Sequence, residues 1–198
     1  MSKGLVLISG INGYIAAVTA KTLLDAGYSV RGTARKASST TPLTEGPLKS
    51  YAESGAFTVV EVPDITLPGA FDAAVEGVTA IAHLASPVSF HFDDPEPIMK
   101  AAVDGTTTIL NSALKAGPQL KKFVQLSSIV AIMNGAPAPY TLTEKDWNGF
   151  AEPQVKEKGK QTPGPITYMA SKTASEKALW KFKDENKPSF TITALNPV

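Results

Sequence analysis

Short apolar runs alternate with longer amphipathic stretches along the chain. The run at Leu5–Ser9 is continuous and rich in branched residues, which is typical of a strand buried on both faces. Strand and helix patterns that alternate in this way predict the α/β class, as a doubly wound parallel sheet with helices on both faces. The predicted strands are residues 5–9, 28–33, 56–62, 79–84, 123–126 and 190–195, and the predicted long helices are residues 14–26, 96–116 and 167–186.

Two stretches interrupt this alternation. Residues 36–54 are rich in Ser, Thr, Pro and Gly, and predict a loop with a short helix. Residues 134–165 contain five prolines and show no clear periodicity. Because long loops in compact domains are usually functional or mobile, we expect residues 134–165 to form one wall of a substrate pocket.

Composition narrows the class of protein. The chain has 198 residues, 43% of them hydrophobic, with a net charge of +1 and no cysteine. This favours one globular domain, gives no case for a nucleic-acid or membrane partner, and excludes a disulfide scaffold or cysteine-ligated zinc. The apolar run near the start is too short for a signal peptide, so we expect a cytoplasmic protein.

A glycine-rich turn separates the first strand from the first helix. Gly10 permits a tight turn, Gly13 lets the backbone approach a pyrophosphate, and the small Ala16 lets the helix pack closely on the sheet. The start of the helix offers N–H groups and a positive dipole end to phosphates. The turn therefore predicts nucleotide binding, with an ordinary structural turn as the alternative. No Gly-Lys-Ser/Thr follows, which disfavours a P-loop.

The end of the second strand is basic. A carboxylate there would favour NAD by binding the ribose 2′-hydroxyl, but this segment carries Arg31, Arg35 and Lys36 instead. Three cations favour a 2′-phosphate and hence NADP (NADPH) as the cofactor. Arg35 is the best candidate because a guanidinium binds phosphate through two donors. Arg31 and Lys36 are secondary candidates, and a solvated basic loop is the alternative.

Two further groups of polar side chains have catalytic potential. Tyr168 and Lys172 are four residues apart and so share one helical face. A neighbouring cation stabilises a phenolate, which suits a tyrosine to proton transfer. Ser127 and Ser128 end the fifth strand, at the sheet edge where such folds keep their sites. Either hydroxyl could bind a substrate carbonyl, and capping of the strand end is the alternative role.

These motifs together resemble the extended short-chain dehydrogenase/reductases. The resemblance extends over essentially the whole chain and is greatest to fungal NADPH-dependent aldehyde and ketone (carbonyl) reductases. Plant dihydroflavonol and cinnamoyl-CoA reductases are more distantly similar. The segments that carry it are Gly10-x-x-Gly13-x-x-Ala16, the serine that ends the fifth strand, Tyr168-x-x-x-Lys172, and residues 30–35, 83–87, 142–148 and 180–186.

The resemblance implies a Rossmann-like fold and a role for each matching residue. Tyr168 would give a proton to the carbonyl oxygen, Lys172 would assist it and hold the nicotinamide ribose, and Ser128 would orient the carbonyl, with Ser127 as the fallback. Together with the basic Arg35 and Lys36, the residues expected to line the cofactor are Gly10, Asn12, Gly13, Tyr14, Ile15, Asp64, Ile65, Leu84, Ala85, Ser86, Tyr168 and Lys172. No metal is expected, and His83 is expected to be structural, as neither it nor His91 belongs to a ligand-like cluster.

Relatives of this pattern usually continue into a smaller substrate-binding lobe. The resemblance therefore predicts that residues 1–198 form a dinucleotide-binding domain truncated before that lobe. The function expected is NADPH-dependent reduction of a small-molecule aldehyde or ketone, by a monomer or homodimer. A non-catalytic NADP(H)-binding module and an epimerase or dehydratase acting on nucleotide sugars are the alternatives.

Overall fold

The structure, a computed structural model, describes residues 2–86 and 93–198, so that Pro87 and His91 lie outside the described residues. Six strands form one sheet in the order β3-β2-β1-β4-β5-β6. Successive strands are added towards one edge from β1 to β3 and towards the other edge from β4 to β6, so the strand order reverses between β1 and β4. The pairs among β1 to β5 are parallel, which confirms the predicted doubly wound sheet. The strands are β1 Leu5–Ser9, β2 Ser29–Ala34, β3 Phe57–Glu61, β4 Ala80–His83, β5 Lys122–Leu126 and β6 Thr191–Leu195.

The helices are α1 Tyr14–Asp25, α2 Thr41–Thr44, α3 Lys49–Glu53, α4 Glu96–Lys115, α5 Ala151–Lys158 and α6 Gly164–Asn186, with 3₁₀ turns at Ala37–Thr40, Ile129–Ala131 and Gly159–Gln161. Three of the six α-helices, α1, α4 and α6, match the predicted long helices. Helices α2 and α3 lie in the stretch that was predicted to hold a short helix, and α5 was not predicted. Helix α6 begins at Gly164, ahead of the predicted start at Thr167, because Pro165 is tolerated in a first helical turn.

Helix α5 corrects the prediction that residues 134–165 lack regular structure. The buried Asn148 side chain starts this helix, since its Oδ1 accepts the N–H groups of Phe150 and Ala151 at 3.1 and 3.0 Å. Pro153 lies in the first turn, where its missing N–H removes no helical hydrogen bond. The proline that argued against a helix is therefore compatible with one.

The described residues divide into two compact units. The first unit comprises residues 2–85, 108–125 and 188–193, and the second comprises residues 86, 93–107, 126–187 and 194–198. In the first unit, Ala16, Ala20 and Leu24 recur every four residues and place one stripe of α1 in the hydrophobic core with Val6 and Val30. This packing fixes the start of α1 at the carboxyl end of β1.

In the second unit, backbone pairing continues past the ends of two strands. The Ser127 N–H donates to the Leu195 carbonyl and the Ile129 N–H donates to the Pro197 carbonyl, both at 2.8 Å. These bonds fix the backbone on either side of Ser128. Among the helices of residues 2–86 and 93–198, none has the length and apolar character needed to cross a membrane.

Candidate functional site

The glycine turn of the first unit has a backbone that glycine alone adopts easily. Gly10 has a φ of +70°, and an added Cβ would lie 2.9 Å from the Cα of Ala85. Gly13 precedes α1 in an extended conformation, and the first helical bond runs from the Ala17 N–H to the Gly13 carbonyl. The N–H groups of the first helical turn come before that bond and have no carbonyl within the helix to donate to, so they can donate to an anion.

Two large side chains at the start of α1 face solvent. Tyr14 is 85% exposed and Ile15 is 47% exposed, whereas Ala16 between them and the sheet is buried. Exposed apolar side chains that lie together beside an anion-binding backbone are typical of a ligand surface. The burial of Ala16 fits its predicted packing role.

A glycine on β2 supports the same turn and was missed by the sequence analysis. An added Cβ at Gly32 would lie 2.6 Å from Cγ1 and 2.7 Å from Cβ of Ile11, which is fully buried. The Ile11 N–H also donates to the Thr33 carbonyl at 2.9 Å. The side chain inside the turn therefore occupies the space that Gly32 leaves. The signal in the sequence was a glycine inside a strand, which often marks a close approach of other atoms.

The cations at the end of β2 divide into two groups. Arg35 and Lys36 are exposed at the carboxyl end of the strand. The Arg31 guanidinium is instead engaged within the protein, because its Nη1 donates to the carbonyls of Ala74 and Glu76 at 2.8 and 2.7 Å. The structure therefore corrects the secondary assignment of Arg31 to a 2′-phosphate, and gives it the role of holding a loop.

The segment after Arg35 and Lys36 is attached on both sides. The Ala37 N–H donates to Glu61 Oε1 at 2.6 Å, and Asn12 Nδ2 donates to Ser39 Oγ at 3.3 Å. Asn12 thus joins the glycine turn to the basic segment. Glu61 is a carboxylate at this edge that the sequence analysis missed, because it belongs to β3 and becomes a neighbour of Ala34 through strand pairing.

The remaining cofactor candidates follow β3 and β4. Asp64 Oδ1 accepts the N–H and the hydroxyl of Thr66 at 2.8 and 2.7 Å. The N–H groups of Leu84 and Ala85 both donate to Ser9 Oγ at 3.0 Å. Ile65 and Ser86 are half-buried, the latter in the second unit.

His83 belongs to the core of the first unit. It is 4% exposed, and its ring contacts Phe71 edge-to-face at 6.5 Å between centroids. Since Ser9 Oγ already accepts two N–H groups, its own proton goes to His83 Nδ1, 2.8 Å away. These contacts support the structural role predicted for this histidine.

In the second unit, α6 carries the predicted tyrosine and lysine. Lys172 Nζ lies 6.0 Å from the ring centroid of Tyr168 and donates to the Leu126 carbonyl at 3.2 Å. Lys172 is only 6% exposed. Burial lowers the pKa of this ammonium group to about 8, and the negative charge of Glu176 opposes the shift. The pair therefore combines a half-buried phenol with a buried amine.

The two strand-end serines have different partners. The Ser127 hydroxyl donates to Glu176 Oε2, which commits it to that carboxylate. Ser128 Oγ accepts the Val130 N–H at 3.4 Å, which is a long hydrogen bond. No acceptor for the Ser128 hydroxyl proton is found among the described residues, so this proton can bind a ligand. The geometry favours Ser128 as the serine that acts on a ligand.

Glu176 and Asn196 are functional candidates that the sequence analysis missed. Asn196 Nδ2 donates to Glu176 Oε2 at 2.8 Å and to the Ser128 carbonyl at 3.0 Å. Trp180 Nε1 donates to Glu176 Oε1 at 3.2 Å. The four-residue spacing of Tyr168, Lys172, Glu176 and Trp180 was the available signal, but a glutamate at that spacing is also common on solvated helices.

The loop that precedes α5 is closed by one carboxylate. Asp146 accepts the Tyr140 hydroxyl at 2.6 Å and the Thr143 N–H at 2.7 Å, and these bonds hold the pKa of Asp146 below its usual range. The next residue, Trp147, has its ring centroid 5.9 Å from Lys177 Nζ on α6. The loop is therefore an ordered part of the second unit, and its role as a pocket wall stays a prediction.

Comparison with known proteins gives consistent matches. The model of the NAD dependent epimerase/dehydratase family matches residues 6–198. Aldehyde reductase 2 of Sporidiobolus salmonicolor is 39% identical, over 98% of this chain and 56% of that protein. Ketoreductase adrE of Penicillium rubens is 36% identical, over 97% of this chain and 55% of that protein.

Solved structures agree with these matches. The crystal structure of yeast methylglyoxal/isovaleraldehyde reductase Gre2 complexed with NADPH aligns with a TM-score of 0.85 at 32% identity. The alignment covers 98% of this chain and 57% of that chain. The chain thus spans a little over half the length of the relatives it matches.

Proposed function

Since the chain belongs to the NAD dependent epimerase/dehydratase family, we propose that it carries the NADPH-binding and proton-donating residues of a carbonyl reductase. The reaction is the reduction of an aldehyde or ketone to an alcohol. The observation that carries the proposal is the contact between Tyr168 and the buried Lys172, next to Ser128, whose hydroxyl proton has no acceptor among residues 2–86 and 93–198. The matched aldehyde reductase, ketoreductase and methylglyoxal reductase support this reaction class.

The first unit supplies donors that fit a phosphorylated dinucleotide. The start of α1 offers backbone N–H groups beside Gly10 and Gly13, which suits a pyrophosphate. Arg35 and Lys36 stand exposed at the end of β2, which suits a 2′-phosphate. Asn12 donates to Ser39, and this bond links the glycine turn to the segment that follows the two cations.

The second unit supplies the proton. NADPH, when bound, supplies the hydride to the carbonyl carbon. Tyr168 gives its phenolic proton to the carbonyl oxygen, and the Lys172 ammonium stabilises the phenolate that this step leaves. Ser128 donates a hydrogen bond to the same oxygen and orients it. Assignment of the nicotinamide ribose to Lys172 also belongs to this proposal.

The proposal also extends to the substrate, the location, the assembly and the cofactor preference of the protein. The substrate is a small-molecule carbonyl compound whose identity the relatives' different substrates do not fix. A cytoplasmic location and a monomeric or homodimeric state stay predictions, as does the C-terminal lobe inferred from the resemblance. The basic end of β2 favours carbonyl reduction with NADPH over an NAD-dependent reaction on nucleotide sugars.

A fluorescence titration of the chain with NADPH, and in parallel with NADH, tests the cofactor part. We expect NADPH to bind more tightly than NADH. Arg35→Ala should weaken NADPH at least about tenfold and NADH very little, since a hydrogen bond to a charged group contributes about 1.5–3 kcal/mol. Lys49→Ala removes another exposed cation of the first unit and should change neither affinity.

The outcomes separate the parts of the proposal. Equal losses for both cofactors in Arg35→Ala would remove Arg35 from the 2′-phosphate site. Failure of the parent chain to bind either cofactor would contradict the binding function. Binding without NADPH oxidation, over a panel of aldehydes and ketones, would instead favour a non-catalytic module.

A further inference from the structure

Glu176 is a buried carboxylate for which the reduction chemistry above has no use. It is 4% exposed and lies one helical turn after Lys172 on α6. A buried charge is costly unless it is hydrogen-bonded or paired, so its retention needs an explanation. The explanation lies in what its two oxygens hold.

The two carboxylate oxygens bind groups from three elements. Oε2 accepts the Ser127 hydroxyl at the end of β5 and the Asn196 amide at the end of β6. Oε1 accepts the indole N–H of Trp180 on α6. Glu176 therefore connects α6 to the ends of both strands that lead into the proposed active site.

Each connection ends beside a group assigned to catalysis. Ser127 is the residue before Ser128, and Asn196 also donates to the Ser128 carbonyl at 3.0 Å. Lys172 donates to the carbonyl of Leu126, the residue before Ser127. The bonds of Glu176 and the bond of Lys172 thus hold neighbouring residues of the same strand end, Leu126 to Ser128.

We propose that Glu176 is a positioning residue of this active site, which fixes Ser128 through Ser127 and Asn196, one helical turn away from Lys172. This inference rests on the proposed function, which identifies the site as an active site. The hydrogen bonds themselves are a property of the second unit alone and hold whatever the function is. Glu176 contacts no reacting atom, so its effect passes through Ser128 and Lys172.

The charges around this network make the electrostatic part testable. The described partners of Glu176 and Lys172 are Tyr168 and Trp180 on α6, the Leu126 carbonyl, the hydroxyl of Ser127 and the amide of Asn196. Of these partners, only Tyr168 can ionise. The negative charge that raises the pKa of Lys172 against its burial is that of Glu176.

The test separates charge from geometry with two variants. Glu176→Gln keeps the shape of the side chain but removes the charge, whereas Glu176→Asp keeps the charge but shortens the reach. The Lys172 side chain is titrated by NMR in chain labelled with ¹³C-lysine, with Lys172→Met to assign the signal. Trp180→Phe is the matched control, because it removes one hydrogen bond to Oε1 and leaves the charge.

We expect Glu176→Gln to lower the pKa of Lys172 below about 8, and Trp180→Phe to leave it unchanged. We expect Glu176→Asp to keep the titration near that of the parent but to lower kcat at least tenfold with KM for NADPH nearly unchanged. The reason is that a shorter side chain cannot bind both Ser127 and Asn196.

Each contrary result has one meaning. If Lys172 titrates identically in Glu176→Gln and the parent, the carboxylate does not maintain the charge of the lysine. If Glu176→Asp turns over like the parent, the carboxylate does not position Ser128. Should Glu176→Gln fail to fold, the Asp variant still decides the geometric part. A parent chain that neither binds NADPH nor turns over refutes the proposed function, and the NMR titration still tests the link to Lys172.

Discussion

The substitution Gly32→Ala adds one methyl group between β2 and the glycine turn. The added Cβ would lie 2.6, 2.7 and 2.9 Å from the Cγ1, Cβ and Cγ2 atoms of Ile11. Separations below 3.0 Å are not tolerated, so Ile11 or the strand must move. Ile11 cannot rotate away easily, because the contact includes its Cβ and because its N–H is bonded to the Thr33 carbonyl.

The size of the effect follows from packing. Adding a methylene to a filled core destabilises a protein by about 1–3 kcal/mol. For a chain of this length, each kcal/mol lowers the Tm by roughly 2–4 °C, so a fall of about 2–12 °C is expected. Moving Ile11 also moves the turn between Gly10 and Gly13, so the affinity for NADPH should fall as well.

Thermal unfolding by circular dichroism and NADPH titration measure the two effects. Gly149→Ala is the matched control, since an added Cβ there meets nothing within 4 Å and the backbone is not left-handed. It should leave both quantities unchanged. If Gly32→Ala retains the Tm and the NADPH affinity of the parent, the close packing of Ile11 on β2 does not support the turn, and the reasoning fails.

Two further predictions concern α6. Tyr168→Phe should abolish NADPH oxidation with a carbonyl substrate and leave the NADPH affinity nearly intact; a variant as fast as the parent would show that another group gives the proton. Lys172 releases its proton at about pH 8 in the folded chain but near 10.5 when unfolded. The unfolded state thus holds more protons between these values, so the free energy of unfolding should rise with pH there, by at most about 3 kcal/mol relative to Lys172→Met. Chemical denaturation at several pH values measures this difference, and parallel curves for the parent and the variant would contradict it.

The doubly wound parallel sheet and most elements could be predicted from local patterns. Apolar runs and the turns that bound them located all six strands to within one or two residues, because buried parallel strands have a continuous apolar composition. The helix α5 could not be found in this way. It is short and polar, contains Pro153, and depends on the buried Asn148. The Asn148 side-chain Nδ2 donates to the Val130 carbonyl and its backbone N–H donates to the Ala131 carbonyl, and both bonds are tertiary.

In the candidate site too, local relations could be predicted from the sequence and tertiary ones could not. Tyr168 and Lys172 could be paired from the sequence because a helix relates residues four positions apart. Glu61 and Asn196 could not be placed, since each becomes relevant only through pairing with a strand distant in sequence. The residue types alone did not distinguish Ser127 from Ser128, although the resemblance favoured Ser128. In the structure, the two serines differ because the Ser127 hydroxyl donates to the carboxylate of Glu176.

Both tryptophans of the chain, Trp147 and Trp180, belong to the second unit. With tryptophan-selective excitation, the intrinsic emission is therefore an optical signal of that unit alone, whereas far-ultraviolet circular dichroism reports on helices and strands of both. If the two melting curves coincide, the chain unfolds as one cooperative body. If the emission changes at a different temperature, the separation between the curves measures how independently the second unit holds its structure.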